Sequence, residues 1–348
     1  MSLLYATGFD YFSSVDDLYN AGWKASGGVP LLDESVVSGA HSRQSLELPA
    51  TTSHIKTPNF NKKNEAIYLG FWVYIEALPS SSAELLTFSG LSQARISIDT
   101  DGAIYFTNIS GTLLGSKSDN GTITINTWYY VEVKYTAKAS ISADDCIIRV
   151  DETEVVNLAA GTDTDFDTAS PGLVYSVTLK SIQGTIYYDD LVIYDGNGSQ
   201  FNDFMGKLYV ATLRPSGNGN SSQWVGSDAD STDNYLHVDE TERDDDTSYI
   251  EADAVGDKDL YAYDNLPAAA DTIKAVAYNI IGKKSGDNYR TVQPVARIAT
   301  TDYNLDDVIP LDTDYLDSQL IQHLSPASGT AWTVSEVNGA EFGLRVAS

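Results

Sequence analysis

A chain of 348 residues is long enough for about two domains. Its 21 Lys plus Arg stand against 49 Asp plus Glu, a formal charge of −28 that repels phosphate backbones and anionic lipid, so neither nucleic acid nor membrane is an expected partner. Apolar residues make up 42% of the chain, enough for a core, while the single cysteine, Cys146, excludes an internal disulfide and a cysteine-built metal site. The four histidines, His41, His54, His237 and His323, form no His-x-x-x-His pair, so the usual zinc-protease ligands are missing and no cofactor is expected. Tyrosine is abundant, with 22 copies against 10 Phe, and suits a half-buried pleated surface. The N-terminus has neither a basic segment nor a long apolar run, so synthesis in a cytoplasm is the expectation.

In chain order, the elements read as strands. Ala66–Leu78 is a long aromatic and β-branched run closed by Pro79, as expected of a strand covered on both faces. Ala94–Asp99 and Ala103–Phe106 flank Asp101-Gly102, a hairpin turn. Thr122–Ile125 reads as a short strand. Trp128–Ala137 alternates, with Tyr129, Val131, Val133 and Tyr135 on one face and Tyr130, Glu132 and Lys134 on the other; Glu132 and Lys134 are expected to form a surface ion pair. Cys146–Asp151 and Thr153–Leu158 form a hairpin around Asp151-Glu152, with Cys146 a buried small hydrophobe. Val174–Leu179 and Gly184–Tyr194 follow. The glycine-rich Asp195–Gln200 then marks a boundary, giving domains 1–198 and 199–348.

The second part opens with a strand over Lys207–Leu213 and a polar loop from Pro215 to about Asp233. Strand candidates continue at Leu260–Tyr263, Thr272–Ile281, Val292–Ala299, Ser318–Leu324 and Glu341–Val346. Thr333-Val-Ser-Glu336 is a capping box, so one or two helical turns are expected at Thr333–Asn338. Many short strands with almost no helical period imply an all-β protein built of two sandwiches.

The order Gly8-Phe-Asp, Leu69-Gly-Phe-Trp-Val-Tyr-Ile, Trp128-Tyr-Tyr-Val-Glu-Val-Lys-Tyr, Arg149-Val-Asp and Ile186-Tyr-Tyr-Asp-Asp-Leu-Val-Ile-Tyr resembles the concanavalin A-like (laminin-G-like) jelly roll. That fold hosts lectins, glycosidases and structural modules alike. Asp245-Asp-Thr-Ser-Tyr-Ile, Asp257-Lys-Asp-Leu-Tyr-Ala, Ala275-Val-Ala-Tyr-Asn, Arg297 and Ala331–Gly343 resemble the C-terminal region of structural proteins of tailed bacteriophages. The resemblance implies a concanavalin A-like jelly roll followed by a smaller β-sandwich with a short C-terminal helical turn. It further implies a homo-oligomeric virion component, assembled in a bacterial cytoplasm, that decorates capsid or tail and has the major capsid or tail proteins as partners.

The chemistry-bearing residues argue for a non-catalytic role. A glycosidase needs two carboxylates facing one bond. Asp189 and Asp190 are adjacent in a strand and are expected to point to opposite faces. The acidic stretches Asp228–Asp233 and Asp239–Asp246 have no glycine at the sixth and no glutamate at the twelfth position of a calcium-binding EF-hand loop and read as solvated loops. The alternative to decoration is a host-recognition protein that binds surface glycans. Trp72 and Trp128 lie in apolar strand runs and read as core, whereas Trp224, beside the polar loop, is the expected exposed glycan contact.

Overall fold

A computed structural model describes residues 3–33, 44–49, 53–63, 66–90, 94–136, 146–158, 173–197, 200–241, 243–305 and 307–348. The chain divides into two compact units, one of residues 1–10 and 14–210 and the other of residues 11–13 and 211–348. The division falls after Val210; the expected boundary at 198/199 lies outside the described residues, as does His41.

The first unit contains two eight-stranded antiparallel sheets. In the first sheet the order is Thr153–Leu158, Cys146–Val150, Tyr129–Thr136, Ala66–Ile75, Ile186–Asp195, Ser45–Leu48 and Leu31–Asp33, with Leu3–Thr7 also pairing Ile186–Asp195. In the second it is Leu113–Leu114, Ile104–Thr107, Arg95–Ile98, Ala83–Gly90, Leu173–Lys180, His54–Lys56 and Lys24–Ser26, with Lys62–Lys63 also on Leu173–Lys180. Between the sheets, Ile67, Leu69, Phe71, Val73 and Ile75 are buried with Val131, Val133, Tyr135, Leu86, Phe88 and Phe106. Phe88 stacks on Tyr135 at 4.3 Å, and Tyr188 sends its hydroxyl from the first sheet to the Leu85 and Lys180 carbonyls of the second. The sandwich thus follows from strand runs apolar on the facing side.

Local chemistry sets the turns. Gly102 takes φ +82 in the Arg95–Ile98/Ile104–Thr107 hairpin. Asp151 and Glu152 both have positive φ, as a two-residue turn matched to strand twist requires. Thr122–Ile125 forms no strand; instead Ile123 is buried and its amide donates to the Gly102 carbonyl.

The second unit is also β-rich. Its main sheet runs Pro215–Ser222, Lys258–Tyr263, Glu341–Val346, Thr291–Ile298 and Thr301–Asn304, with Ile309–Pro310 added to Thr291–Ile298. A separate two-stranded antiparallel sheet, Val276–Gly282 with Leu316–Gln322, supplies Tyr278, Ile280 and Leu320 to the core. That core also holds Trp224, Val292, Trp332, Val337 and Phe342. The capping box forms: Thr333 Oγ1 accepts from the Glu336 amide, Glu336 reaches back to the Thr333 amide, and Val334–Gly339 is helical.

Two expectations here are corrected. Pro215–Ser222, read as loop because of its Ser, Gly and Asn content, is an edge strand whose residues alternate in burial. Proline is tolerated as the first residue of an edge strand, and at Gly219 a Cβ would collide with the Leu260 carbonyl of the partner strand. Conversely, Lys207–Leu213 has a strand-like composition but joins no sheet.

Candidate functional site

The outer face of the first sheet carries an uncommon density of aromatic rings. Alternation along Ala66–Ile75 turns Tyr68, Gly70, Trp72 and Tyr74 away from the core. The register then places Tyr130 and Asp189 beside Trp72, Glu132 beside Gly70, Lys134 and Tyr194 beside Tyr68, and Tyr187 beside Tyr74. Glu47 lies next to Tyr187, and Leu31 next to Glu47.

Half of this face is covered. Residues 201–210 cross it without joining the ladder, and side chains supply what a neighbouring strand otherwise would. Trp72 Nε1 donates to the Leu208 carbonyl at 3.1 Å and Tyr68 Oη to the Asn202 carbonyl at 3.3 Å. The Gly206 amide donates to Glu132 Oε1 at 2.9 Å and the Val210 amide to Asp190 Oδ1 at 2.8 Å. Phe204 meets Tyr68 edge-on at 5.5 Å under the Arg149 guanidinium, Tyr209 stacks on Trp72 at 5.6 Å, and Lys207 pairs with Asp151 at 3.0 Å. Gly70 is needed beneath, because a Cβ there would collide with the Tyr130 hydroxyl.

Two acidic readings change accordingly. Glu132 is not in a surface ion pair with Lys134; it is 1% exposed, and Arg149 on the adjacent strand lies 3.7 Å from its Oε2. Burial pushes its carboxyl above the ordinary range, against the Gly206 amide and Arg149, which favour the charged form. Asp189 and Asp190 do not simply alternate. The pairing with Ala66–Ile75 shifts register between Asp189 and Val192, and Asp190 has φ 48. This bulge lets the Asp190 amide donate to Asp189 Oδ1 at 2.7 Å while Asp190 bonds the covering segment. Burial, then the neighbouring Asp189, drives the Asp190 carboxyl well upward. Trp72 likewise lies on the outer face rather than between the sheets.

The other half of the face is open. A row runs across the sheet from Leu31 through Glu47, Tyr187 and Tyr74 to Trp128, whose successor Tyr129 pairs with Val73. Trp128 and Tyr74 are half-buried, with ring centroids 5.5 Å apart; Tyr74 meets Tyr187 edge-on at 5.9 Å. Tyr74 Oη donates to Asn126 Oδ1, and the buried Tyr187 donates to Glu76 Oε1 at 3.1 Å. Burial, then Asp33 and Glu76, raises the Glu47 carboxyl. Tyr209, 51% exposed on its stack with Trp72, adds a third accessible ring beside this row. No signal in the sequence singles out these rings: the strand pairings bring Tyr74, Trp128 and Tyr187 together, and the crossing segment delivers Tyr209.

The expected contact Trp224 is elsewhere. It is 7% exposed in the core of the second unit, and its Nε1 donates to the Asp257 carbonyl. Its backbone amide and carbonyl bond Asp259 and Asn234, so its place is structural. In the acidic loop, Asp228 and Asp230 accept amides two residues ahead, and Asp228 Oδ2 lies 3.4 Å from His237 Nε2. Ser227 and Ser248 approach His237 Nδ1 at 3.4 and 3.3 Å, but Ser248 gives its proton to Glu240. Among the described residues, no three His, Cys, Asp or Glu side chains are grouped to hold a metal ion.

No family model matches the chain, and no curated protein matches it. Solved structures do. An alginate lyase, Aly36B, is 17% identical, covering 56% of this chain and 95% of its own, with a TM-score of 0.37. Domain 4 of the Geobacillus stearothermophilus arabinanase AbnA, in complex with arabinotriose, is 16% identical over 56% of this chain and 92% of its own, with a TM-score of 0.37. The binding domain of Paraclostridial Mosquitocidal Protein 1 is 14% identical over 56% of this chain and 48% of its own, also at 0.37.

Proposed function

We propose that the first unit is a glycan-binding module that acts through the open half of its aromatic face. The observation carrying this reading is the cross-strand row in which the accessible rings of Trp128 and Tyr74 lie beside Glu47, Glu76 and Asn126. Aromatic faces offer rigid apolar area to the C–H face of a sugar, and adjacent carboxylate and amide oxygens accept from its hydroxyls. Tyr209 extends the platform along the strand direction. The row binds and orients; no hydrolytic step is assigned to it. Binding to a panel of neutral oligosaccharides, followed by calorimetry, tests the reading. Trp128→Ala and Tyr74→Ala are expected to weaken binding at least tenfold with the fold intact; a chain that binds no glycan ends it.

A second reading, favoured by the resemblance of residues 205–348 to phage structural proteins, mounts this module on a virion as a capsid or tail component. Quantifying the chain in purified virions tests it, and absence from the particle refutes it.

A further inference from the structure

We propose that residues 201–210 are a detachable strap, seated on the aromatic face by two buried carboxyl groups, Glu132 and Asp190, and released as those groups ionise. The segment lies across the sheet's face, where a ligand would lie, and no ladder holds it. Its backbone donors at Gly206 and Val210 end on the two carboxyls. The second oxygen of each, Glu132 Oε2 and Asp190 Oδ2, is buried and accepts no hydrogen bond. A carboxyl left half-satisfied in a dry site favours its neutral form.

The charged and titratable surroundings point the same way. Around Glu132 are Arg149, Glu152, Tyr130 and Tyr194; around Asp190 are Asp189, Asp10, Tyr130 and Tyr209. Arg149 is the cation among them, and it faces Glu132 only at 3.7 Å. Lys207, the strap's own cation, is engaged with Asp151. Both carboxyls are raised while the strap is seated, and water returns to them when it leaves. Docking is therefore strongest below the ordinary carboxylate range and weakens as pH rises through the raised values. Release would carry Tyr209 away and uncover Trp72, Tyr68, Tyr130 and Tyr194 in its place, lengthening the open row; that consequence rests on the glycan-binding reading, whereas the strap does not.

Hydrogen exchange of the full chain at pH 5 and pH 8, corrected for intrinsic rates, tests the strap. Peptides covering 201–210 are expected to lose at least about tenfold in protection at the higher pH, while Ala66–Ile75 keeps its protection. Asp190→Asn and Glu132→Gln retain an acceptor oxygen without the charge and are expected to flatten that dependence. Equal protection of 201–210 at both pH values overturns the proposal, as does loss in parallel with Ala66–Ile75. The wild-type comparison decides even where a variant fails to fold. Glycan affinity that stays constant with oligosaccharide length at pH 8, with the strap released, would overturn only the lengthened row.

Discussion

Each unit buries a carboxylate in its β structure, and they treat it in opposite ways. In the second unit Asp259, fully buried, accepts the Trp224 amide on Oδ1 and both the Asn234 side-chain amide, at 2.6 Å, and the Tyr261 hydroxyl, at 2.8 Å, on Oδ2. Both Asp259 oxygens have donors, although Asn234 Oδ1 in the same cluster is buried without a hydrogen bond, and the contacts tie the Lys258–Tyr263 strand, the 3-10 turn at Asn234–His237 and Trp224 together. In the first unit Glu132 and Asp190 each have one oxygen engaged and one without a hydrogen bond. A carboxylate with a donor on each oxygen ties its neighbours into one arrangement; one with a bare buried oxygen leaves a charge state to choose between two.

The difference sets the order of effects expected from substitution. Trp224→Ala is expected to cost about 3–5 kcal/mol by cavity formation, read as a large fall in the unfolding midpoint, with glycan binding unchanged where the first unit stays folded. Asp259→Ala strands the donors of Asn234, Tyr261 and Trp224 and is expected to cost about 3 kcal/mol in denaturant unfolding. Were Asp259→Ala and Glu132→Gln to cost the same, the contrast would collapse, because Glu132→Gln replaces a group already disposed to neutrality and is expected to lie within about 1 kcal/mol of wild type.

Removing the Thr333 cap by Thr333→Ala is expected to cost about 1 kcal/mol. The same cap gives a pH dependence of opposite sign. Burial works against the charge on Glu336, but hydrogen bonds from Ser325 and Thr333 prevail and hold its carboxyl below the ordinary value. Its contribution is thus present above the ordinary carboxylate range and lost as pH falls through the lowered value, whereas the strap tightens on acidification. A pH series of exchange at 334–339 and at 201–210 should show the two segments moving in opposite directions.

What was legible in the chain was local. Asp101-Gly102, Asp151-Glu152 and Thr333–Glu336 announce two hairpin turns and a helix start through residues at most three apart, and each forms where expected. The burial of Cys146 and of Val131, Val133 and Tyr135 on the inward face of their strand follows from alternation. Lys207–Leu213 and Pro215–Ser222 misled for one reason. Composition reports what a segment tolerates, whereas strand formation depends on whether a partner edge is within reach. The polar segment had the edge of Lys258–Tyr263; residues 207–210 of the apolar one crossed a sheet face. Trp224 misled similarly, since a polar neighbour in sequence says nothing about the layer packed against a ring.

The amino-acid order by itself determined an all-β chain with an acidic exterior, because period-two patterning and turn residues act between near neighbours. Only the tertiary structure decided which rings face water. Tyr74, Trp128 and Tyr209 are assembled from distant strands and a crossing segment, and the same packing that leaves them accessible shuts Glu132 and Asp190 away from solvent. Exposure and the cost of charge depend on everything that surrounds a group, and those surroundings exist only after the chain has folded.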